Sequence, residues 1–373
     1  MADVTGRKKR ICMIVPQPDV KGGIAGVLSH YYGSRLEQDE EMIYVESYCD
    51  GSKLQKLRKA IGAYVRFWQV LKKRRPDLVH IHSSFGPSFY RKLPFILMSH
   101  RRGIPVVNHI HGSAFDEFYE HAPGWKQRLV RRIYGMCSRV IVLTAQWKEK
   151  IGQIVPLERI EIVQNIADVF PQMADRFQER LAHPQILFLG VITEGKGLHE
   201  MPAVVRQVVQ ANPAVSFVFA GEGDTQYLLS QLSDEEKKHV RLPGWVRGEE
   251  KEELLKNSTV FFLPSHMEAM PMSALEAMGY GLPVVSTNVG GIPFVVQEGE
   301  NGWLLPVGDT QGMAEAILSC LADTERYRLA SARSIAIVEE TFSVEKHLLR
   351  LEQIWDEVLS QELAGSDRGQ SAG

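Results

Sequence analysis

Between Pro264 and Gly291 the chain reads PSHMEAMPMSALEAMGYGLPVVSTNVGG. Two carboxylates, Glu268 and Glu276, stand eight positions apart on either side of Pro271, a residue suited to the first turn of a helix. The helix predicted there runs to about Tyr280, with Gly281 as its C-terminal stop. Main-chain N–H groups over 269–272 would then lie free at a helix start, where phosphate or sugar oxygens fit. A carboxylate can also accept a pair of hydrogen bonds from a vicinal diol. On residue type alone, Glu268 reads equally as an acid compensating the helix dipole and Glu276 as a solvated helix position.

Four further places could carry chemistry. In ILFLGVITEGKGL (186–198), Lys196 precedes a glycine and a helix; spacing alone favours a surface lysine in a loop, and the chemical reading is a fixed cation that meets anionic charge. In DVKGGIAG (19–26), Gly22 and Gly23 follow the first strand and let backbone amides approach a diphosphate closely. The fourth strand ends in NHIHG (108–112), which places His109 and His111 on one strand face. Such a pair could ligate metal, but no third ligand is obvious and there is no D-x-D, so no metal is expected. GEGDTQ (221–226) has the first two glycines of a dinucleotide fingerprint and Gln226 where the third belongs. It reads as a strand-to-helix turn that brings Gly223 near a nucleotide.

Positioning these groups needs a frame. Apolar, β-branched runs at 10–16, 42–48, 78–82, 105–110, 139–143 and 160–164 alternate with helical stretches. A second set follows at 185–189, 215–220, 240–243, 259–263, 283–287 and 302–306. Continuous apolar strands separated by helices imply parallel sheets covered on both faces. The fold class is therefore α/β, with two doubly wound Rossmann-like domains and ligands in the cleft between them. The domains expected are 1–175 and 176–349, with a linker in 168–184, where Pro171 and Pro184 fall in a stretch without strong period. The last long helix, about 343–362, could cross back to the first domain, and 363–373 reads as a disordered tail.

The same segments carry a family resemblance. Two glutamates in E-x7-E spacing, then A-M-x-x-G-x-P-V-V-x-T and Gly-Gly-Ile-Pro, are similar to the motif of retaining glycosyltransferases of family 4 (group 1), which have the GT-B fold. ILFLGVITEGKGL resembles the family's strand–Gly–loop–Lys–Gly signature, and FVFAGEGD (217–224) and VRLPGWV (240–246) recur in the family order. The resemblance spans the chain from about residue 22 to about 309. It implies a retaining, metal-independent transfer of a sugar from a nucleotide-diphosphate sugar to an acceptor hydroxyl, in polysaccharide or glycolipid biosynthesis. UDP-sugars are the first expectation for the donor and GDP-mannose the next, with no cofactor besides this substrate. It also implies that Glu276 holds the ribose hydroxyls, that Glu268 contacts the donor sugar, and that the amides of Ala269, Met270, Met272 and Ser273 approach the sugar and diphosphate. Gly22, Gly23, Gly190, Lys196, Gly223 and Val246 complete the implied donor site. Lys196, Glu268 and His111 are the implied catalytic set, with His111 on the acceptor side. The chain departs from the family at Val191, where an arginine is usual, at Ala269–Met270 in place of Gly then Phe or Leu, and at Ile166 in QNIAD. Val191, Ala269 and Ile166 support one alternative, a degenerate sugar-nucleotide-binding protein; a third reading is a GT-B sugar-nucleotide epimerase, which would consume donor without any acceptor.

Charge narrows the partners. Forty-three Lys and Arg against 45 Asp and Glu give a formal net charge of −2. That balance hides a split of +11 over 1–183 and −13 over 184–373. From Gly51 to Pro76 there are nine basic residues and no acidic one, with Leu54, Leu57, Ile61, Tyr64, Trp68 and Leu71 at helical spacing. The plain reading is a core-packed helix with a cationic outer face. The functional one is contact of Lys56, Lys59, Arg66, Trp68, Lys72 and Lys73 with an anionic membrane surface or a glycan or lipid-linked acceptor. A second acid-free stretch covers 122–148. Nucleic acid would use the same charges, and the sugar-nucleotide motifs argue against it. Four scattered cysteines, no run of 18 apolar residues and no signal-peptide pattern imply a cytoplasmic protein, and the two basic stretches are the ground for expecting it peripheral on the inner membrane face.

Overall fold

The computed structural model describes residues 7–370, with side chains through residue 362. The chain divides into two compact units, Met1–Asn165 with Val344–Gly373, and Ile166–Ser343.

The first unit holds a six-stranded sheet in the order β2-β1-β3-β4-β5-β6. Its strands are β1 (Arg10–Val15), β2 (Glu41–Glu46), β3 (Leu78–Ser83), β4 (Val106–Ile110), β5 (Arg139–Val142) and β6 (Ile160–Ile162). All pairings are parallel. β1, β3 and β4 are almost wholly buried, which is why they read as continuous apolar runs. The helix Lys53–Lys73 starts on a capping box made by Ser52 and Gln55. The helix Val344–Gln370 groups with this unit. Lys9 bonds Asp356 at 2.5 Å and Glu40 at 2.7 Å, and Arg350 bonds Glu161 at 2.8 Å. That helix continues past 362, so residues 363–370 are helical where a disordered tail was expected. No proline intervenes to stop the helix. Residues 371–373 of the expected tail lie outside the described residues.

The second unit repeats the plan with the order β12-β11-β10-β7-β8-β9. Its strands are β7 (Gln185–Leu189), β8 (Ser216–Ala220), β9 (Val240–Arg241), β10 (Val260–Leu263), β11 (Val284–Thr287) and β12 (Gly302–Leu305), again all parallel. The chain passes outward from β7 to β9 and then crosses to β10 on the other side of β7. The strand order therefore reverses between β7 and β10, and the loops leaving these two strands diverge at that point.

The segment read as a linker is structured. The unit boundary falls between Asn165 and Ile166, ten residues before the one expected. Residues Phe177–Ala182 form a helix whose Arg180 is buried. Its guanidinium donates to the carbonyls of Tyr280 (2.9 Å), Lys256 (3.1 Å), Leu255 and Gly281 (both 3.4 Å). One side chain thus closes the C-terminal ends of the helices Gly248–Asn257 and Met272–Gly279. Arg180→Met should lower the unfolding free energy by about 3 kcal/mol, because it leaves buried carbonyls unpaired. Urea denaturation checks this, and a loss below about 0.5 kcal/mol would show that these bonds contribute little.

Candidate active site

In the second unit the strand-order reversal brings the Lys196 loop and the Glu268 loop together. Lys196 ends a short 3-10 turn, Glu194–Lys196, after β7. Its ammonium bonds the Glu268 carboxylate directly, and Ser265 Oγ donates to the same carboxylate oxygen at 2.9 Å. Glu268 is buried, while Lys196 keeps about a third of its side chain exposed. The cation is thus held in place with one side open to solvent.

Glycines explain how the two loops come so close. Gly197 has φ +82, and a Cβ there would lie 2.2 Å from the Pro264 carbonyl oxygen. Gly290 and Gly291 back the Glu268 loop in the same way. A Cβ on either would lie within 2 Å of the carbonyl oxygen of Glu268 or Ala269, and Gly291 N–H donates to Glu268 O at 3.0 Å. A further tie is His266, whose N–H donates to Gly195 O at 3.0 Å and whose Nε2 donates to Glu200 at 2.8 Å.

The helix after Glu268 is Met272–Gly279, with Pro271 as its N-cap and no side chain capping it. Its first-turn amides are therefore left for an outside acceptor. Ala269, Met270 and Met272 are buried around this start and Ser273 is half-buried. Glu276, one turn on, pairs with Lys251 at 2.9 Å. Gly190 and Gly223 support the site from the β7 and β8 ends. Ile192 bridges Gly223, and a Cβ on Gly221 would strike the Gly190 carbonyl. Val246 is buried in the loop after β9. Val191, at the family's arginine position, is exposed.

The remaining sites lie in the first unit. Gly22, φ +132, is the N-cap of the helix Gly23–Ser29, a backbone only glycine adopts readily. His111, just past β4, belongs to a cluster. Its Nε2 lies 3.0 Å from His82 Nδ1, and its ring stacks on His109 with centroids 4.1 Å apart. Burial, helped by the neighbouring His347, lowers the His111 imidazole to about 3, so the ring is neutral at physiological pH.

Four polar residues escaped the sequence reading: Lys251, Ser265, and the His80 and His82 of β3. Ser265 stood three residues from Glu268. The H-x-H of LVHIHS repeats the H-x-H of NHIHG at the same period. Lys251 carried no local signal, since it sits among acids in GEEKEELLKN.

The family described as Glycosyltransferase Family 4 matches residues 26–169, and Glycosyl transferases group 1 matches residues 171–334. The chain is a group 1 glycosyltransferase of family 4. Its fold is GT-B. This family-4 chain is 28% identical over 262 residues to a glycogen synthase of Mycobacterium tuberculosis, covering 67% of the chain and 61% of the relative. It is 26% identical over 319 residues to the UDP-Gal:alpha-D-GlcNAc-diphosphoundecaprenol alpha-1,3-galactosyltransferase of Escherichia coli, covering 80% and 78%. It thus spans about three-fifths of the length of the former. The crystal structure of Anabaena HepE in complex with UDP and glucose superposes with a TM-score of 0.70 at 18% identity, over 93% of the family-4 chain and 99% of HepE. Within this glycosyltransferase, the second family segment contains Lys196, Glu268 and Glu276 together.

Proposed function

We propose that the protein is a retaining glycosyltransferase that moves a sugar from a UDP-sugar to an acceptor hydroxyl in polysaccharide or glycolipid biosynthesis. The observation that carries this is the Lys196–Glu268 pair beside an uncapped helix start, with Glu276 one turn along. Lys196 and the first-turn amides meet the charge that builds on the leaving diphosphate. Glu276 takes the ribose diol, and Glu268 orients both Lys196 and the sugar. The acceptor attacks from the face the diphosphate leaves, so configuration is kept. The leaving-group charge is assigned to Lys196 rather than to a divalent cation, and the step needs no metal. UDP and glucose in HepE, and UDP-Gal in the name of the Escherichia coli relative, support a UDP-sugar, with GDP-mannose as the next donor to try. The test is release of UDP from a panel of UDP-sugars with lipid-linked acceptors, followed by anomeric analysis of the product. Sugar hydrolysis or epimerisation without any acceptor requirement would refute transfer.

The acceptor face is assigned to the first unit. The helix Lys53–Lys73 buries Ala60, Ala63, Phe67, Val70 and Leu71. It turns Leu54, Leu57, Ile61, Val65 and Trp68 outward, from 45% exposed at Trp68 to 56% at Leu54 and Leu57. The single apolar repeat read from the sequence is thus split between two faces, and the outer face is apolar as well as cationic. Lys72 sits 3.8 Å above the Trp68 ring, Lys56 faces Tyr48, and Lys59 bonds Glu46 at 2.6 Å. Arg66 and Lys73 are exposed beside the stripe. A basic rim around an outward apolar stripe is the pattern of a helix lying in an anionic membrane surface. No described helix is long and apolar enough to cross a membrane. Leu57→Asp with Ile61→Asp should weaken sedimentation with phosphatidylglycerol vesicles by at least about tenfold, since each residue removes an inserting side chain. Undiminished binding by this variant would overturn the assignment.

A further inference from the structure

Four histidines of the first unit share one sheet face. His80 and His82 stand two apart on β3, His109 stands on β4 with His111 just past its end, and His82 lies opposite His109 in the register. His80, His82 and His109 are at most 1% exposed. One ring nitrogen from each of these three lies within 4.8 Å of the others. Among the described residues, His80 Nε2, His82 Nε2 and both nitrogens of His109 have no hydrogen-bond partner. Buried polar atoms are rarely left in this state, and four in one cluster call for an occupant.

We infer that His80, His82 and His109 form a buried site for a first-row divalent cation of the zinc class. Three imidazoles and no carboxylate suit zinc, whereas calcium and magnesium require oxygen ligands. Zinc–nitrogen bonds of about 2.0–2.1 Å set ligand nitrogens about 3.4 Å apart, so the rings must close by up to about 1.4 Å, within reach of χ rotation. An outer partner is already in place. His82 Nδ1 faces His111 Nε2 at 3.0 Å, which leaves His82 Nε2 for the ion and fixes the ring.

Trp355 adds a condition. Its indole N–H donates to His80 Nδ1 at 3.0 Å, which puts the proton of His80 on Nε2 while the site is metal-free. Loading shifts that proton to Nδ1, turns the indole away, and exchanges one hydrogen bond for a metal–nitrogen bond. The site lies on the sheet face of the first unit, and its test reads metal content rather than sugar transfer.

The test is metal content of the full chain, purified after growth with added zinc and dialysed without chelator. About one zinc per chain is expected, falling at least tenfold in His82→Asn/His109→Asn. Metal-free wild type, or a folded double variant with undiminished zinc, would overturn the site. If the variant does not fold, cobalt-loaded wild type decides. Intense visible bands of a four-coordinate cobalt centre support the site, and the weak spectrum of aqueous cobalt refutes it.

Discussion

Lys196→Ala is expected to lower turnover by about 10²–10³-fold while changing the donor KM far less. The reason lies in when the charge appears. In the ground state the diphosphate of the donor is shared with its sugar, and the uncapped helix start already offers amides to it. As the glycosidic bond breaks, negative charge grows on the leaving phosphate, and a fixed cation gains most there. Lys196 is held by Glu268, which in turn accepts from Ser265 and is anchored through its main chain to Gly291. Little reorganisation is then needed at the moment of reaction. Lys196→Arg should recover only part of the loss, because a planar guanidinium does not reproduce the compact ammonium held against Glu268. A variant whose KM rises while kcat is unchanged would make Lys196 a binding group and move the catalytic role elsewhere. The exposed Val191 gives this experiment particular weight, since the usual second cation is absent at that position.

The strands were readable because parallel strands buried on both faces must be apolar along their whole length, as β1 (RICMIV) and β8 (SFVFA) are. The local order around Glu268 was readable because one stretch of 28 residues, directly after β10, carries the Glu268 loop, the helix and β11 in sequence. Its glycines could be located but not explained. That Gly290 and Gly291 exist to pass under Glu268 and Ala269 depends on where two loops meet in space. Arg180 escaped for the same reason, since its main carbonyl partner, Tyr280, is 100 residues away and its own segment has no strong periodicity. The histidine cluster was half visible. NHIHG was read as a pair without a third ligand, while LVHIHS was read only as a strand, because register between β3 and β4 cannot be obtained from either segment alone. On the Lys53–Lys73 helix, spacing marked the apolar residues but could not separate an inward Leu71 from an outward Leu57.

Glu276→Ala should weaken UDP binding by about 10²-fold, with a smaller loss of turnover once donor saturates. Two charge-assisted hydrogen bonds to a ribose diol are worth several kcal/mol in gross terms, and truncation leaves the diol to water. Glu276 is not free to begin with, because Lys251 holds it at 2.9 Å from the neighbouring helix. That contact makes the control informative. Lys251→Ala removes an orienting partner without removing the acceptor oxygens, so its effect should stay within about tenfold, as expected for a half-exposed ion pair. Calorimetric titration of UDP against both variants separates the two cases. If Lys251→Ala costs as much as Glu276→Ala, the glutamate acts through the lysine, and the ammonium is the group that meets the nucleotide. If Glu276→Ala leaves UDP affinity intact, the ribose is held elsewhere and the role given to this helix fails. Glu276→Gln sharpens the reading, since an amide keeps one acceptor oxygen and should recover part of the affinity, whereas a purely electrostatic role toward Lys251 would give no recovery.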